Sequence, residues 1–292
     1  LMAFGLVAGV LALTAKPSAL DLTAQTGKGA KEFLLKGKHS RQQLVATAID
    51  VGKPTDVSRK VKYSATPAKV VAINTNGMVT PLGDGEATIT ATHADGLKAT
   101  VKVKVIEFDV TQPINFGNEI VPIFTKAGCN SGGCHGKSGG QNGFRLSLLG
   151  FEPQEDYEYL VKESRGRRLS PAAPENSLLL LKGGAILPHG GGGRLKPKST
   201  DWELMVRWIK QGMPRGSEDD PTVVGLEVYP KHRLVAGNGN QQLSVTAIYS
   251  DGHTKDATHI ATYEANDKEI AEVDETGHVT FFEQPGDVSV MI

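Results

Sequence analysis

The chain has 292 residues, and at about 100–200 residues per domain it accommodates two domains, or three small ones. Its 32 Lys and Arg balance 32 Asp and Glu, so the formal net charge of zero argues against a nucleic-acid-binding protein. With 39% hydrophobic and 22% charged residues, disordered and collagen-like chains are excluded. The two cysteines, Cys129 and Cys134, lie close together in the sequence, so any role they have is local.

The amino-terminal segment predicts export. Residues 1–15 are apolar and uncharged, too short for a membrane-spanning helix of about 20 residues and of the length of a signal-peptide core. We predict a signal peptide over residues 1–19, with its positively charged start missing and cleavage after Ala19 or Ala15. The mature protein is then periplasmic or at the cell surface, without a membrane span. A buried terminal helix is the alternative.

A repeat flanks the middle of the chain. Residues 41–49 (RQQLVATAI) match residues 240–248 (NQQLSVTAI), and residues 85–89 (GEATI) match residues 286–290 (GDVSV). Apolar residues alternate with polar ones, and turn signals recur at roughly 8–12 residues. The pattern predicts two copies of an antiparallel β-sandwich.

The repeated pattern resembles the bacterial Ig-like group 2 module. The resemblance implies one module over residues 20–107 and a second over residues 221–292, which stops where the penultimate strand would end. We therefore expect the second copy to be truncated at its carboxyl end, with an open sheet edge. Without clustered catalytic or metal-ligand residue types, the modules are interpreted as spacers or as contacts to a cell surface or polysaccharide.

The periodicity changes in residues 108–220. Four segments there have helical patterning, and the last carries an apolar stripe at i, i+3, i+4 and i+7 behind a Ser199 or Thr200 cap. The four segments are residues 118–126, 153–162, 175–182 and 200–211. This region is predicted to be an all-α domain with Gly- and Pro-rich loops.

The most specific motif is GCNSGGCHG, residues 128–136. A histidine directly after the second of two nearby cysteines is typical of covalent haem c attachment, in which the thiols form thioethers and the imidazole binds iron. Four residues lie between the cysteines instead of the common two, and we expect residues 131–133 to bulge out. We predict one haem c bound by Cys129, Cys134 and His135. The alternatives are a disulfide, a thiol redox pair, or a zinc site that includes His189.

Several segments of this region, among them NEIVPIFTKAGCNSGGCHG, GFRLSLLGF and WELMVRWIKQGMP, resemble the cytochrome c-like domain of large secreted planctomycete proteins. The resemblance implies a multidomain fold class, in which an all-β Ig-like sandwich, an all-α cytochrome c-like domain and a second, truncated all-β Ig-like sandwich follow one another.

The second axial ligand is predicted from position. In small cytochromes c it comes from the loop before the last helix, and here that loop contains no Met but has His189 beside glycines. His189 is the expected ligand, which would lower the reduction potential relative to Met ligation. Met213 and a five-coordinate or water-bound iron are the alternatives.

Other residues are candidates to contact the haem. Arginines suit the propionates, although the RGRR run also fits a solvated basic surface. The candidates are Arg165, Arg167, Arg168 and Arg194 for the propionates, and Trp208, Phe144 and Leu179 among those for the porphyrin wall.

The expected function is an exported c-type haem module for electron transfer or redox sensing, held between Ig-like spacers. Catalytic motifs such as G-x-S-x-G and H-E-x-x-H are absent from the sequence, so we do not expect an enzyme. Residues 108–216 carry 14 Lys and Arg against 10 Asp and Glu, so a redox partner protein would be acidic. The alternative is an adhesion or scaffold protein in which the haem domain is subordinate.

Overall fold

The computed structural model describes residues 17–24 and 31–292. The predicted signal peptide lies outside the described residues up to residue 16. Within the described ranges, no helix is long and apolar enough to cross a membrane.

The first β-module comprises residues 19–106 and forms three small sheets. Among its described residues the strands are β1 (Ala19–Thr23), β2 (Glu32–Lys36), β3 (Gln42–Gln43), β4 (Val45–Asp50), β5 (Lys53–Asp56), β6 (Lys62–Thr66), β7 (Val71–Ile73), β8 (Met78–Pro81), β9 (Gly85–Thr92) and β10 (Lys98–Ile106). The largest sheet has the order β2-β10-β9-β6, and β10 runs antiparallel to β9 and parallel to β2.

The alternation in β10 shows why these segments are strands. Val101, Val103 and Val105 are buried, while Lys102 and Lys104 between them are exposed. Successive side chains of a strand point to opposite faces, so the valines pack into the core and the lysines face solvent.

The second β-module comprises residues 223–291 and repeats the arrangement with fewer pairs. Its strands are β11 (Val223–Tyr229), β12 (Asn240–Gln242), β13 (Ser244–Tyr249), β14 (Thr254–Asp256), β15 (Glu264–Ala265), β16 (Ala271–Val273), β17 (His278–Phe281) and β18 (Val290–Met291). Where the first β-module has a four-stranded sheet, the second has only β15 paired with β18.

The two β-modules contact each other reciprocally. The backbone N–H of Gln43 donates to the Asp256 carboxylate at 2.9 Å, and the backbone N–H of Gln242 donates to the Asp56 carboxylate at 3.0 Å. Both aspartates are buried. The same surface is thus used on each side, as in a two-fold symmetric dimer.

The middle segment, residues 107–222, contains four short α-helices. They are α1 (Val121–Lys126), α2 (Pro153–Tyr157), α3 (Leu178–Gly183) and α4 (Thr200–Lys210). Single π-helical turns, Phe116–Ile120 and Glu158–Lys162, adjoin α1 and α2, and 3₁₀ turns occur at Leu148–Gly150, Glu163–Gly166 and Pro174–Asn176.

The predicted fold class is wrong, because the middle segment is not an all-α cytochrome c-like domain. The chain is mainly β, its strands are divided among several small sheets, and α4 with 11 residues is the longest helix described. Helical turns do form within the four predicted segments, but α1, α2 and α3 have only five or six residues. Helices this short are not stable alone and depend on packing. Glycine-rich, irregular backbone occupies much of the rest.

One apolar core holds the middle segment together. Trp208 of α4 is fully buried against Phe116, at 5.4 Å between ring centroids, and its indole N–H donates to the Pro214 carbonyl at 2.8 Å. Ser199 caps α4 by accepting from the Trp202 backbone N–H. Leu180 anchors α3 in the same core. This packing fixes the loops that follow α1 and α3.

Candidate functional site

A cavity of about 550 Å³ opens in the middle segment, and the four residues predicted to attach the haem or bind its iron line it. They are Cys129, Cys134, His135 and His189. The first three come from the attachment loop, residues 127–137, which follows α1, and His189 comes from the distal loop, residues 184–199, which follows α3. The fold therefore brings together side chains that are more than fifty positions apart in sequence.

The attachment loop is held by its own backbone. The Cys129 N–H donates to the Phe124 carbonyl at the end of α1, and the His135 N–H donates back to the Cys129 carbonyl at 2.9 Å. Gly132 and Gly133 are exposed, as expected of a bulge. A Cβ atom at Gly136 would overlap the Asn130 carbonyl, so only glycine fits there.

Asn130 is the part of the attachment loop that the sequence did not single out. Its side chain is fully buried and donates to the Thr125 hydroxyl at 2.9 Å, while its backbone carbonyl accepts from the Leu149 N–H at 3.0 Å. The four residues between the cysteines therefore do not all bulge outward, because Asn130 turns inward and anchors the loop to α1.

The two histidines adopt matching arrangements. Their rings are nearly parallel, at 9°, and their centroids lie 6.3 Å apart. The Nδ1 of His135 is 2.8 Å from the Phe144 carbonyl, and the Nδ1 of His189 is 2.8 Å from the Gly192 carbonyl. A carbonyl only accepts, so in each ring Nδ1 carries the proton and Nε2 is left as the available ligand atom.

The electrostatic setting of His135 keeps it neutral. Burial lowers the pKa of its imidazole, and the nearby His189 and Arg168 act in the same direction, while the hydrogen bond to the Phe144 carbonyl opposes them. A neutral imidazole with its lone pair on Nε2 is the form that binds a metal ion.

Both cysteines are free thiols, so the structure does not contain the alternative disulfide. Burial raises the pKa of the Cys129 thiol to about 11, Cys134 adds to this rise, and Arg194 opposes it. Because a thiolate is the reactive species in thiol exchange, a protonated Cys129 does not support the thiol redox alternative.

The zinc alternative has too few ligands. In the part of the chain that the structure describes, no group of three or more His, Cys, Asp or Glu side chains could hold a metal ion. Two imidazoles with a wide cavity instead fit a metal whose remaining ligands belong to a cofactor. The charged residues that line the cavity, Arg167, Arg168, Lys182 and Arg194, are all cationic, which suits a cofactor with carboxylates.

Two predicted contacts lie elsewhere. Trp208 belongs to the apolar core and does not line the cavity. Arg165 is exposed in a left-handed turn with φ of 60° and also lies outside the cavity lining. Met213, the alternative axial ligand, packs against the core, and its carbonyl accepts from the Tyr157 hydroxyl. Sequence periodicity shows that Trp208 faces the interior, but it does not distinguish a tryptophan in the core from one that lines a cavity.

Arg168 lines the cavity, but its guanidinium is already engaged. Its Nη1 donates to the Tyr159 and Glu163 carbonyls at 2.8 and 3.1 Å, and its Nη2 donates to the Gly143 carbonyl at 2.5 Å and the Ser164 hydroxyl at 3.3 Å. The side chain is only 4% exposed. These four contacts use the terminal N–H groups, so the predicted propionate role does not fit Arg168.

Other lining residues carried weaker signals. Phe144 and Leu179 were predicted from their apolar character, whereas Gln141, Asn142 and Lys182 were not predicted. The Asn142-Gly143 pair is a typical turn dipeptide and could have indicated a loop before Phe144.

The comparisons with known proteins assign no family. No protein-family model matches the chain, and no curated protein matches it either. Among solved structures it is similar to the surface layer protein SbsC, domains 1–6, and to the S-layer protein rSbsC(31–844), each at 11% identity with a TM-score of 0.21, over 95% of this chain and 26% of the other. The chain thus spans about a quarter of the length of these structures, and a likeness this weak does not establish the fold.

Proposed function

We propose that the chain is an exported c-type haem protein that transfers electrons, with one haem c joined to Cys129 and Cys134. His135 and His189 are its axial ligands. The observation that carries the proposal is the pair of nearly parallel imidazoles, 6.3 Å apart, on a cavity that both free thiols also line.

The spacing of the imidazoles suits one metal between them. A metal lies about 2.0–2.1 Å from an imidazole nitrogen, and the ring centroid is roughly 1 Å further, so two opposed ligands place their centroids about 6 Å apart. The 6.3 Å between the two ring centroids is close to this value. The two rings are stacked, but they lie further apart than the stacked rings of Tyr249 and His253, at 4.2 Å.

The haem would supply a one-electron change at its iron, and the chain's residues would hold and orient it. If both imidazoles bound the iron, no position would be left for an external ligand, which favours electron transfer over ligand sensing. Imidazole in place of Met also lowers the reduction potential. Arg167 is exposed and lines the cavity, so it is the arginine best placed to meet a propionate.

The surroundings suggest a location and a partner. The apolar segment of residues 1–15 supports export to the periplasm or cell surface. The distal loop has Arg194, Lys196 and Lys198 and no acidic residue before Asp201, so an acidic redox partner protein would complement it.

The reciprocal contacts between the β-modules favour a second candidate function. A packed pair is better suited to a scaffold that fixes the middle segment than to two independent spacers. In that case the haem site would be subordinate to attachment at a cell surface or polysaccharide.

The test is to produce the full chain with a cytochrome c maturation system and measure covalent haem by its visible spectrum and by haem stain after denaturing electrophoresis. We expect a reduced low-spin spectrum and haem that survives denaturation. Cys129→Ala combined with Cys134→Ala should abolish covalent retention, while Ser138→Ala in the exposed part of the same region should not. Folded wild-type protein without a Soret band would refute the proposal.

A further inference from the structure

We infer that Arg168 and Arg194 are positioning residues that orient the two axial imidazoles. One backbone carbonyl accepts a hydrogen bond from each imidazole, and the arginine donates to the carbonyl of the preceding residue. The inference rests on the proposed function for its consequence, but the contacts themselves are independent of any bound group.

On the His135 side the chain of contacts passes through Gly143 and Phe144. The Phe144 carbonyl accepts from His135 Nδ1, and the Phe144 ring packs on the imidazole at 4.7 Å between centroids. Arg168 donates to the preceding carbonyl, that of Gly143, and its guanidinium lies 4.7 Å from the Phe144 ring centroid. Arg168 therefore fixes both the carbonyl and the ring that orient His135.

On the His189 side the same pattern recurs in an unrelated sequence. The Gly192 carbonyl accepts from His189 Nδ1 at 2.8 Å, and Arg194 Nε donates to the preceding carbonyl, that of Gly191, at 2.7 Å. A Cβ atom at Gly191 would lie 3.0 Å from His189 Cε1, so the glycine lets the ring approach the backbone.

The arginine acts in the same way at both turns. Gly143 and Gly192 have φ of 71° and 72° and lie outside the strands, although an isolated bridge also pairs Gln141 with Phe144 on the His135 side. A hydrogen bond to the neighbouring carbonyl limits the rotation of these peptides, and the Nδ1–H bond to a carbonyl in turn sets the ring plane and the basicity of Nε2. The arginines thus act on the iron ligands through one intervening peptide.

A purely electrostatic role predicts a different outcome. If Arg194 served only as a positive charge for a cofactor carboxylate, Arg194→Lys would preserve its effect. A lysine ammonium is a point charge without the fixed fork of a guanidinium, so it would not reproduce the contact from Nε to the Gly191 carbonyl. Lysine substitution therefore separates positioning from charge.

The experiment compares Arg168→Lys, Arg194→Lys and the control Arg165→Lys, which is exposed and lies outside the cavity lining, in the haem-loaded full chain. We expect the first two to shift the ferric EPR g-values and the midpoint potential, with Arg165→Lys close to wild type in both. Wild-type g-values and potential in Arg194→Lys would overturn the inference. If Arg168→Lys fails to fold, Arg194→Lys carries the test, because Arg194 is exposed.

A second readout uses the haem-free chain and so separates this inference from the proposed function. Nitrogen-15 NMR of the imidazoles should show His189 as the Nδ1-protonated tautomer in wild type and a mixture of tautomers in Arg194→Lys. An unchanged tautomer would overturn the positioning role. If the tautomers of wild type and Arg194→Lys differ in this way but the wild type takes up no haem, only the proposed function is refuted.

Discussion

The backbone carbonyls of the β-modules and of the middle segment find their hydrogen-bond donors in different ways. In the β-modules the carbonyls are mostly paired in strand ladders, as in the eight-residue match of β10 with β9. In the middle segment the helices are short, and side chains such as Arg168 and Arg194 donate to the carbonyls of irregular loops. Carbonyls outside the strand ladders hold the imidazoles, so the irregular backbone supplies acceptors that regular strands would use in pairing with each other.

Among variants of the middle segment, His135→Ala should have the largest effect on haem binding. Removing the imidazole that follows Cys134 leaves the cofactor without its attachment-side ligand, so we expect loss of most low-spin haem. The measurement is haem content per folded protein together with the oxidised and reduced spectra. His232→Ala, at an exposed position of the second β-module, is the matched control and should leave both unchanged. Equal haem loss in the two variants would indicate a general folding defect instead of a ligand role.

His189→Ala should have a more selective effect. The thioethers would still hold the haem, but one axial position would open, so we expect a change from a low-spin to a high-spin ferric spectrum that added imidazole reverses. Met213→Leu tests the alternative ligand and should leave the spectrum unchanged, because Met213 packs in the core. A low-spin His189→Ala protein without added imidazole would exclude His189 as the second ligand.

The sequence was most informative where residue types alone define the chemistry. The order Cys129, Cys134, His135 and the glycines around His189 predicted four residues that the structure places on one cavity. The Arg168 contacts could not be predicted, because its partners include the carbonyls of Tyr159 and Gly143, and every residue type has a carbonyl. A contact to a backbone carbonyl does not depend on the type of the residue that carries it, so the sequence does not reveal such a contact.

The fold, like the site, was predicted from the sequence only in part. Alternating valines and lysines predicted strands such as β10, since period two follows directly from strand geometry. Helical periodicity predicted where turns of helix occur, but not that α1 would stop after six residues at a glycine-rich loop. The wrong expectation of an all-α domain came from treating each helical pattern as a full helix. The reciprocal contacts of Asp56 and Asp256 were not foreseen, because a repeat does not show how its copies pack.

Asp56→Ala and Asp256→Ala test the packing of the two β-modules against each other. Each change leaves two buried N–H groups without their acceptor, the partner module's glutamine N–H and the N–H of Ser58 or Thr258 in its own module. Each such loss costs about 1–3 kcal/mol of the free energy of unfolding. We expect similar losses from the two variants by chemical denaturation, with an unchanged haem spectrum. Asp109→Ala, at an exposed position, is the control. A large loss in one variant only would contradict the reciprocal arrangement.

The smallest expected effect is a pH dependence at one position of the second β-module. Burial lowers the pKa of His278 below its ordinary 6.5, and Arg59 adds to this, while Asp274 and Asp56 oppose it. Folding therefore favours the neutral imidazole, and its contribution to stability is present above pH 6.5 and falls as the pH drops below that value. The first β-module has Met78 at the equivalent position, which does not titrate. His278→Met should thus reduce the fall in Tm between pH 8 and pH 5, measured by thermal denaturation. Parallel Tm profiles for the variant and the wild type would show that His278 does not contribute.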